Sequence, residues 1–210
     1  MTSTKQHWDQ IFASTNDEAL GWFESDASQT LKFIDVIPQA HLSRIFIPGA
    51  GTSVLVDELL ARGHSLLLND ISLQALENLK SRIGVNEKKI IWLRHDIATP
   101  LPAQLPQVDL WVDRAVLHFL LEERAIQGYF ENLNALVKPE GYTLLAEFST
   151  EGASKCAGLQ LHRYSIEEMS ERLGKKFCLV KHENYTFSNP QGEPRPYLYA
   201  LFQKKRAIST

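Results

Sequence analysis

Two cysteines, Cys156 and Cys178, are all that the 210-residue chain contains. That is too few for a disulfide framework, and they lack the clustered spacing of a zinc site, so both are expected to be free, structural thiols and no metal is expected. Long hydrophobic runs are missing too. The longest apolar stretches fall far short of the roughly 18 residues that span a bilayer, and Met1-Thr2-Ser3-Thr4-Lys5-Gln6-His7-Trp8 has no apolar core of a secretory signal. A cytosolic protein without a membrane partner is the expectation. An excess of positive charge is absent: the formal net charge is -3, which gives no electrostatic footprint for nucleic acid. The one basic cluster, Lys204-Lys205-Arg206, reads as a solvated tail. Internal repeats and low-complexity segments are lacking as well, and the length suits one domain with extensions.

Between residues 44 and 148 short apolar runs alternate with longer amphipathic ones, the pattern of βα units around a parallel sheet. Strands are expected at Arg44 to Ile47, Ser65 to Leu68, Lys89 to Leu93, Val108 to Val112 and Tyr142 to Phe148. Helices are expected at Val54 to Leu60, after Ser72 as N-cap with Leu73, Leu76 and Leu79 at helical spacing, and at Leu121 to Leu136, stopped by a Lys138-Pro139-Glu140-Gly141 turn. Beyond residue 150 a capping box, Ser165 with Glu168, opens a short helix to Leu173. Phe177 to Phe187 and Tyr197 to Phe202, joined by Ser188-Asn189-Pro190-Gln191-Gly192, read as an antiparallel pair closing the sheet. Residues 1–40 read as a helical cap whose second helix carries Leu31, Ile34, Val36 and Ile37 and ends at Pro38. Residues 41–150 form the core of this expected single domain, and 151–210 a loop and terminal hairpin.

The chemistry-bearing residues cluster at strand ends. In Ile45-Phe46-Ile47-Pro48-Gly49-Ala50-Gly51-Thr52-Ser53 two glycines lie between a strand and a helix, where glycine lets backbone approach a ligand, although a tight turn uses glycine for steric reasons alone. Asp70 ends the second strand, 19 residues after Gly51, at the distance where an acid bonds adenosine ribose hydroxyls; it is also placed to cap a helix. Asp96 ends the third strand, able to accept from an adenine amino group, and Asp113 the fourth. Three acids at consecutive strand C-termini line the edge where open α/β sheets bind ligands.

These features, taken in order with the Lys-Pro-Glu-Gly turn, resemble the class I S-adenosylmethionine (SAM) dependent methyltransferases over nearly the whole chain. The resemblance implies a Rossmann-like α/β fold with a seven-stranded, mostly parallel sheet whose last strand is antiparallel and helices on both faces. It also implies SAM as cofactor, bound by Gly49, Ala50, Gly51, Asp70, Ile71, Asp96, Ile97, Asp113 and Trp22. The segments Trp8-Asp9, Trp22-Phe23-Glu24, Asp113-Arg114-Ala115-Val116-Leu117-His118-Phe119-Leu120 and Cys156-Ala157-Gly158-Leu159 look like a bacterial branch similar to the citrate synthase lysine methyltransferases, and the Pro-Gly-x-Gly turn is similar to that of thiopurine methyltransferases. The implied activity is methyl transfer to a small-molecule or protein side-chain nitrogen, sulfur or oxygen. Two departures stand out: the acid usual two residues before the first glycine is Ile47, and the third glycine is Ser53. Asp113 or Trp22 could take over part of that acid's role.

Because SAM carries an activated methyl group, the protein has chiefly to align the reactants. His118 is either a general base facing the cleft or a packed core residue. Arg114 either holds an anionic acceptor or pairs with an acid. Trp22 and Phe23 either shield the sulfonium, with cation–π attraction, or simply pack their segment. His162, Arg163 and Tyr164 are candidates for the acceptor pocket. The rivals are a catalytically silent SAM-binding or interaction module, consistent with Ile47, and an NAD-linked oxidoreductase. The latter would want a small residue where Val54 stands and a Tyr-x-x-x-Lys pair that is missing. No nucleic-acid methylation motif follows the fourth strand.

Overall fold

The computed structural model describes residues 3–206. Its main sheet is built from β1 (Arg44–Ile47), β2 (Ser65–Asp70), β3 (Ile90–Arg94), β4 (Val108–Arg114), β5 (Val137–Phe148), β8 (Phe177–Ser188) and β9 (Pro194–Lys204), in the order β3-β2-β1-β4-β5-β9-β8. β1 to β5 are parallel, and β9 enters antiparallel to both β5 and β8. A two-stranded hairpin, β6 (Lys155–Cys156) and β7 (Leu159–Gln160), lies apart from it. The helices are α1 (Lys5–Ser14), α2 (Ser28–Ile34), α3 (Leu55–Ala61), α4 (Leu73–Ile83), α5 (Glu123–Leu136) and α6 (Ile166–Leu173).

The central strands are apolar along their whole length because both faces are covered. Side chains alternate between two cores. On one face Ile45, Ile47, Leu66, Leu68, Leu110 and Val112 pack with α2 and α3; on the other Phe46, Leu67, Trp111 and Leu145 pack with α5 and α6. Ser72 caps α4 by accepting from Ala75 N, and Ser165 caps α6 by accepting from Glu168 N. The order of strands reverses between β1 and β4, so the connections leaving their C-terminal ends go to opposite sides and open a crevice there.

Several expected boundaries shift. α2 ends at Ile34 and the exposed Val36 lies beyond it, because the chain turns through Val36 N donating to Phe33 O and Ile37 N to Ile34 O. α5 starts at Glu123 rather than Leu121. The Lys138-Pro139-Glu140-Gly141 turn is absorbed into β5 as an irregularity: Val137 pairs with Val108, the register then shifts, and Glu140 takes φ 65°. Lys204 is not part of a solvated tail; it belongs to β9, and its Nζ donates to the carbonyls of Asn134 and Val137 at the end of α5. Residues 1–2 and 207–210 of the expected terminal segments lie outside the described residues. Among the described residues no helix is long and apolar enough to cross a membrane.

Candidate functional site

A cavity of about 310 Å³ follows the C-terminal edge of the parallel strands. One end is bordered by Asp96, Ile97 and Ala98 after β3, the middle by Pro48 to Leu55, Asp70 and Ile71, and the other end by Arg114, Phe119, Cys156 and Tyr197. The roof is aromatic. Trp8 and Phe12 of α1 reach the cavity beside Trp22 and Phe23, with ring centroids 5.6 Å apart for Trp8 and Trp22 and 4.8 Å for Trp8 and Phe119. α1 is held down on α4 by Asp9, which accepts from the Ser72 hydroxyl at 2.7 Å, and by Asn78 Nδ2 donating to Phe12 O at 3.0 Å.

Glycine is required twice in the floor. Gly51 has φ 51°, and a β-carbon on Gly49 would sit 2.4 Å from Val116 Cγ2. Asp70 ties this loop to β2, its Oδ2 accepting from Gly51 N at 2.9 Å and its Oδ1 from Ser72 N at 2.8 Å. Burial outweighs these bonds and lifts its pKa to about 6, with Asp9 adding to the rise. Asp96 is exposed, two residues past the end of β3, where its Oδ1 accepts from Ala98 N at 3.0 Å. Of the sequence candidates, Trp22, Gly49, Ala50, Gly51, Asp70, Ile71, Asp96, Ile97 and Arg114 are brought together around this one cavity.

Other candidates fall elsewhere. Asp113 is wholly buried and turned into the protein: Oδ1 accepts from Val116 N (3.0 Å), and Oδ2 from Leu117 N (3.1 Å) and the Tyr129 hydroxyl (2.6 Å). It organises the turn after β4 instead of bordering the cavity. His118 touches the cavity wall, but its ring is sealed, packed against Phe119 and Phe148 at 4.4 and 5.0 Å. Burial pushes its pKa down to about 3, which strips it of useful basicity. Glu147 Oε2 lies 2.6 Å from its Nδ1 but off the direction of a hydrogen bond, and instead accepts from His118 N at 3.2 Å. Burial pushes both the Asp113 and the Glu147 carboxyls up, and the neighbouring Glu147 charge adds to the rise at Asp113. His162, Arg163 and Tyr164 do not border the cavity. His162 Nε2 pairs with Glu168 at 2.8 Å, Arg163 donates to the carbonyls of Thr150 and Gly152, and Tyr164 is buried in the α5–α6 core.

The sequence reading missed Phe12, Phe119 and Tyr197 as cavity walls and left Glu24, Trp8 and Cys156 without a site role. Period-two alternation places Tyr197 and Tyr199 on one face of β9, but nothing in the local sequence reports that this face reaches a cavity. Cys156 arrives through a tight hairpin in which Ala157 and Gly158 both have positive φ, 52° and 75°, the geometry that a two-residue turn requires.

A glycine loop, a strand-end acid and a crevice at the reversal of strand order define a doubly wound α/β fold, and in such folds ligands bind at that reversal. The architecture is that of the class I SAM-dependent methyltransferases, and residues 48–143 match the family model described as a methyltransferase domain. The fold is shared with a SAM-dependent methyltransferase from Anabaena variabilis (14% identity, TM-score 0.75, covering 96% of this chain and 93% of that one). It is also shared with the N-methyltransferase NodS from Bradyrhizobium japonicum, solved with S-adenosylhomocysteine (16%, TM-score 0.71, 95% and 97%). A third example is the 1,6-didemethyltoxoflavin N1-methyltransferase from Burkholderia thailandensis, with its substrate and S-adenosylhomocysteine bound (17%, TM-score 0.71, 98% and 92%). No curated protein sequence matches the chain.

Proposed function

We propose that this protein is a SAM-dependent methyltransferase acting on a small-molecule or protein side-chain nucleophile that reaches the cleft already able to attack. The observation that carries this reading is the single cavity that joins the glycine loop and Asp70 to an aromatic-roofed chamber. The residues present suit the cofactor. Gly49 and Gly51 leave the backbone open to close approach, Asp70 offers a carboxylate to ribose hydroxyls, Asp96 stands at the far end for the adenine amino group, and Ile71 and Ile97 supply apolar contact for the base. When bound, SAM supplies an activated methyl group. Trp22, Phe23 and Phe119 exclude water around it, and Trp22 is close enough to the roof aromatics to favour a cation beneath them.

No acid–base partner is needed for an acceptor that is a neutral nitrogen, a thiolate or a carboxylate, and the geometry supports that restriction because His118 is sealed and Asp113 faces away. Calorimetric titration of the purified protein with SAM, S-adenosylhomocysteine and NAD in parallel tests the proposal. Micromolar binding of the first two without NAD is expected; binding of NAD alone, or of none, would overturn it.

A further inference from the structure

Ile47 leaves the cleft without the acid that the first strand end would ordinarily present, yet the cavity beside it is not neutral. Glu24 Oε1 lies 2.7 Å from Arg114 Nη2, with the two side chains only 15% and 12% exposed, and both border the cavity together with Ile47, Gly49 and Ala115. The pair comes from opposite walls: Glu24 from the segment before α2, and Arg114 from the end of β4. The guanidinium is fixed by donating from Nη1 to Trp22 O at 3.1 Å and from Nε to the Tyr199 hydroxyl at 3.3 Å, and it lies against the Phe187 and Tyr197 rings at 5.1 and 5.2 Å. Its Nη2 is buried and has no acceptor beyond the ion pair with Glu24, which leaves an N–H bond for another partner. A buried donor in that state is costly and invites a ligand acceptor. Burial raises the Glu24 pKa by more than Arg114 lowers it, so a second cation beside the carboxylate would stabilise its charged form.

A carboxylate and a guanidinium side by side on a cavity wall are the charge complement of an α-amino acid head group, which carries an ammonium and a carboxylate on one carbon. We propose that Glu24 and Arg114 form the receptor for the zwitterionic amino-acid end of the cofactor, Glu24 taking the ammonium and Arg114 the carboxylate, in place of the acid missing at position 47. The proposal rests on the cofactor reading above. It gives the N-terminal segment a binding role, since Glu24 reaches the cleft only when that segment is folded over it.

The test compares S-adenosylhomocysteine with 5′-methylthioadenosine, which keeps the adenosine and the sulfur but lacks the amino-acid end. Both are titrated into the full chain and into the Glu24→Gln and Arg114→Met variants. The parent is expected to bind S-adenosylhomocysteine more tightly. Each variant should lose at least tenfold in affinity for it while keeping its affinity for 5′-methylthioadenosine within about twofold, which also shows that the variant's cleft is folded. Unchanged S-adenosylhomocysteine affinity in both variants would overturn the assignment. Equal losses for the two ligands would do the same, showing that the pair only clamps the N-terminal segment. A parent that binds neither nucleoside would remove the cofactor reading itself, a result separate from either of these.

Discussion

Asp70 is the residue on which most of the cleft turns. It closes the glycine loop through Gly51 N, starts α4 through Ser72 N, and faces the cavity. Its pKa of about 6 sets the sign of a pH effect, because only the ionised carboxylate accepts from two hydroxyls. Affinity for S-adenosylhomocysteine should therefore be fullest above pH 6 and fall as the pH is lowered through it. Asp70→Asn should flatten that part of the profile and, as the loss of a charge-assisted bond, weaken binding at pH 7.5 by about 1.5–3 kcal/mol. Calorimetry between pH 5 and 8 checks both, and an identical profile in the variant would take Asp70 out of the ribose role. At this scale the placement of Gly49, Gly51 and Asp70 beside the cavity was readable in the sequence, since glycine freedom and an acid at a strand end are local properties; Asp96 also borders the cavity, from two residues past its strand. Asp113 was misplaced because sequence shows where a strand ends but not which way the last carboxylate turns. Here the hydroxyl of Tyr129, one helix later in the chain, draws it inward.

At the scale of elements, the close approach of α5 to the β3–β4 connection shapes the end of the cavity beside Asp96. A β-carbon at Gly128 would lie 2.2 Å from the carbonyl oxygen of Ala98, and Ala98 borders the cavity beside Asp96. Alanine would gain about 1 kcal/mol of helix propensity, yet overpacking against fixed backbone costs about 1–3 kcal/mol, so the clash should prevail. Gly128→Ala is thus expected to lower stability in urea denaturation and to weaken S-adenosylhomocysteine binding together; a stabilised variant would show that α5 is free to move outward. The helix itself was legible from its apolar spacing, but its glycine was not, because the constraint comes from a loop thirty residues away. The Lys138-to-Gly141 turn was read as a clean stop and became part of β5 because Val137 pairs with Val108 before the bend.

Across the whole molecule, charge is most plainly at odds with burial where Asp113, Glu147 and His118 lie together, each 0% exposed, beneath the cleft. Both carboxyls are pushed above their ordinary range, so the folded state holds protons that the unfolded chain releases. Stability should then fall as the pH rises from the ordinary carboxylate range towards the alkaline side. Glu147→Gln mimics the protonated acid and should narrow the difference in unfolding free energy between pH 6 and pH 9 by at least about 1.4 kcal/mol, the worth of one unit of pKa shift. Denaturation at the two pH values measures this, and equal slopes in parent and variant would mean that Glu147 is ionised in the fold.

The amino-acid sequence by itself determined the strand and helix succession, the glycine turn, the strand-end acids and hence the class of fold, because each depends on side-chain periodicity or on the backbone freedom of single residues. Tertiary structure alone decided which acids face the cleft, that His118 is sealed and that Glu24 meets Arg114 across it. Those outcomes depend on burial and on contacts between residues up to 90 positions apart, where solvation and neighbouring charge, not local pattern, set what a side chain can do.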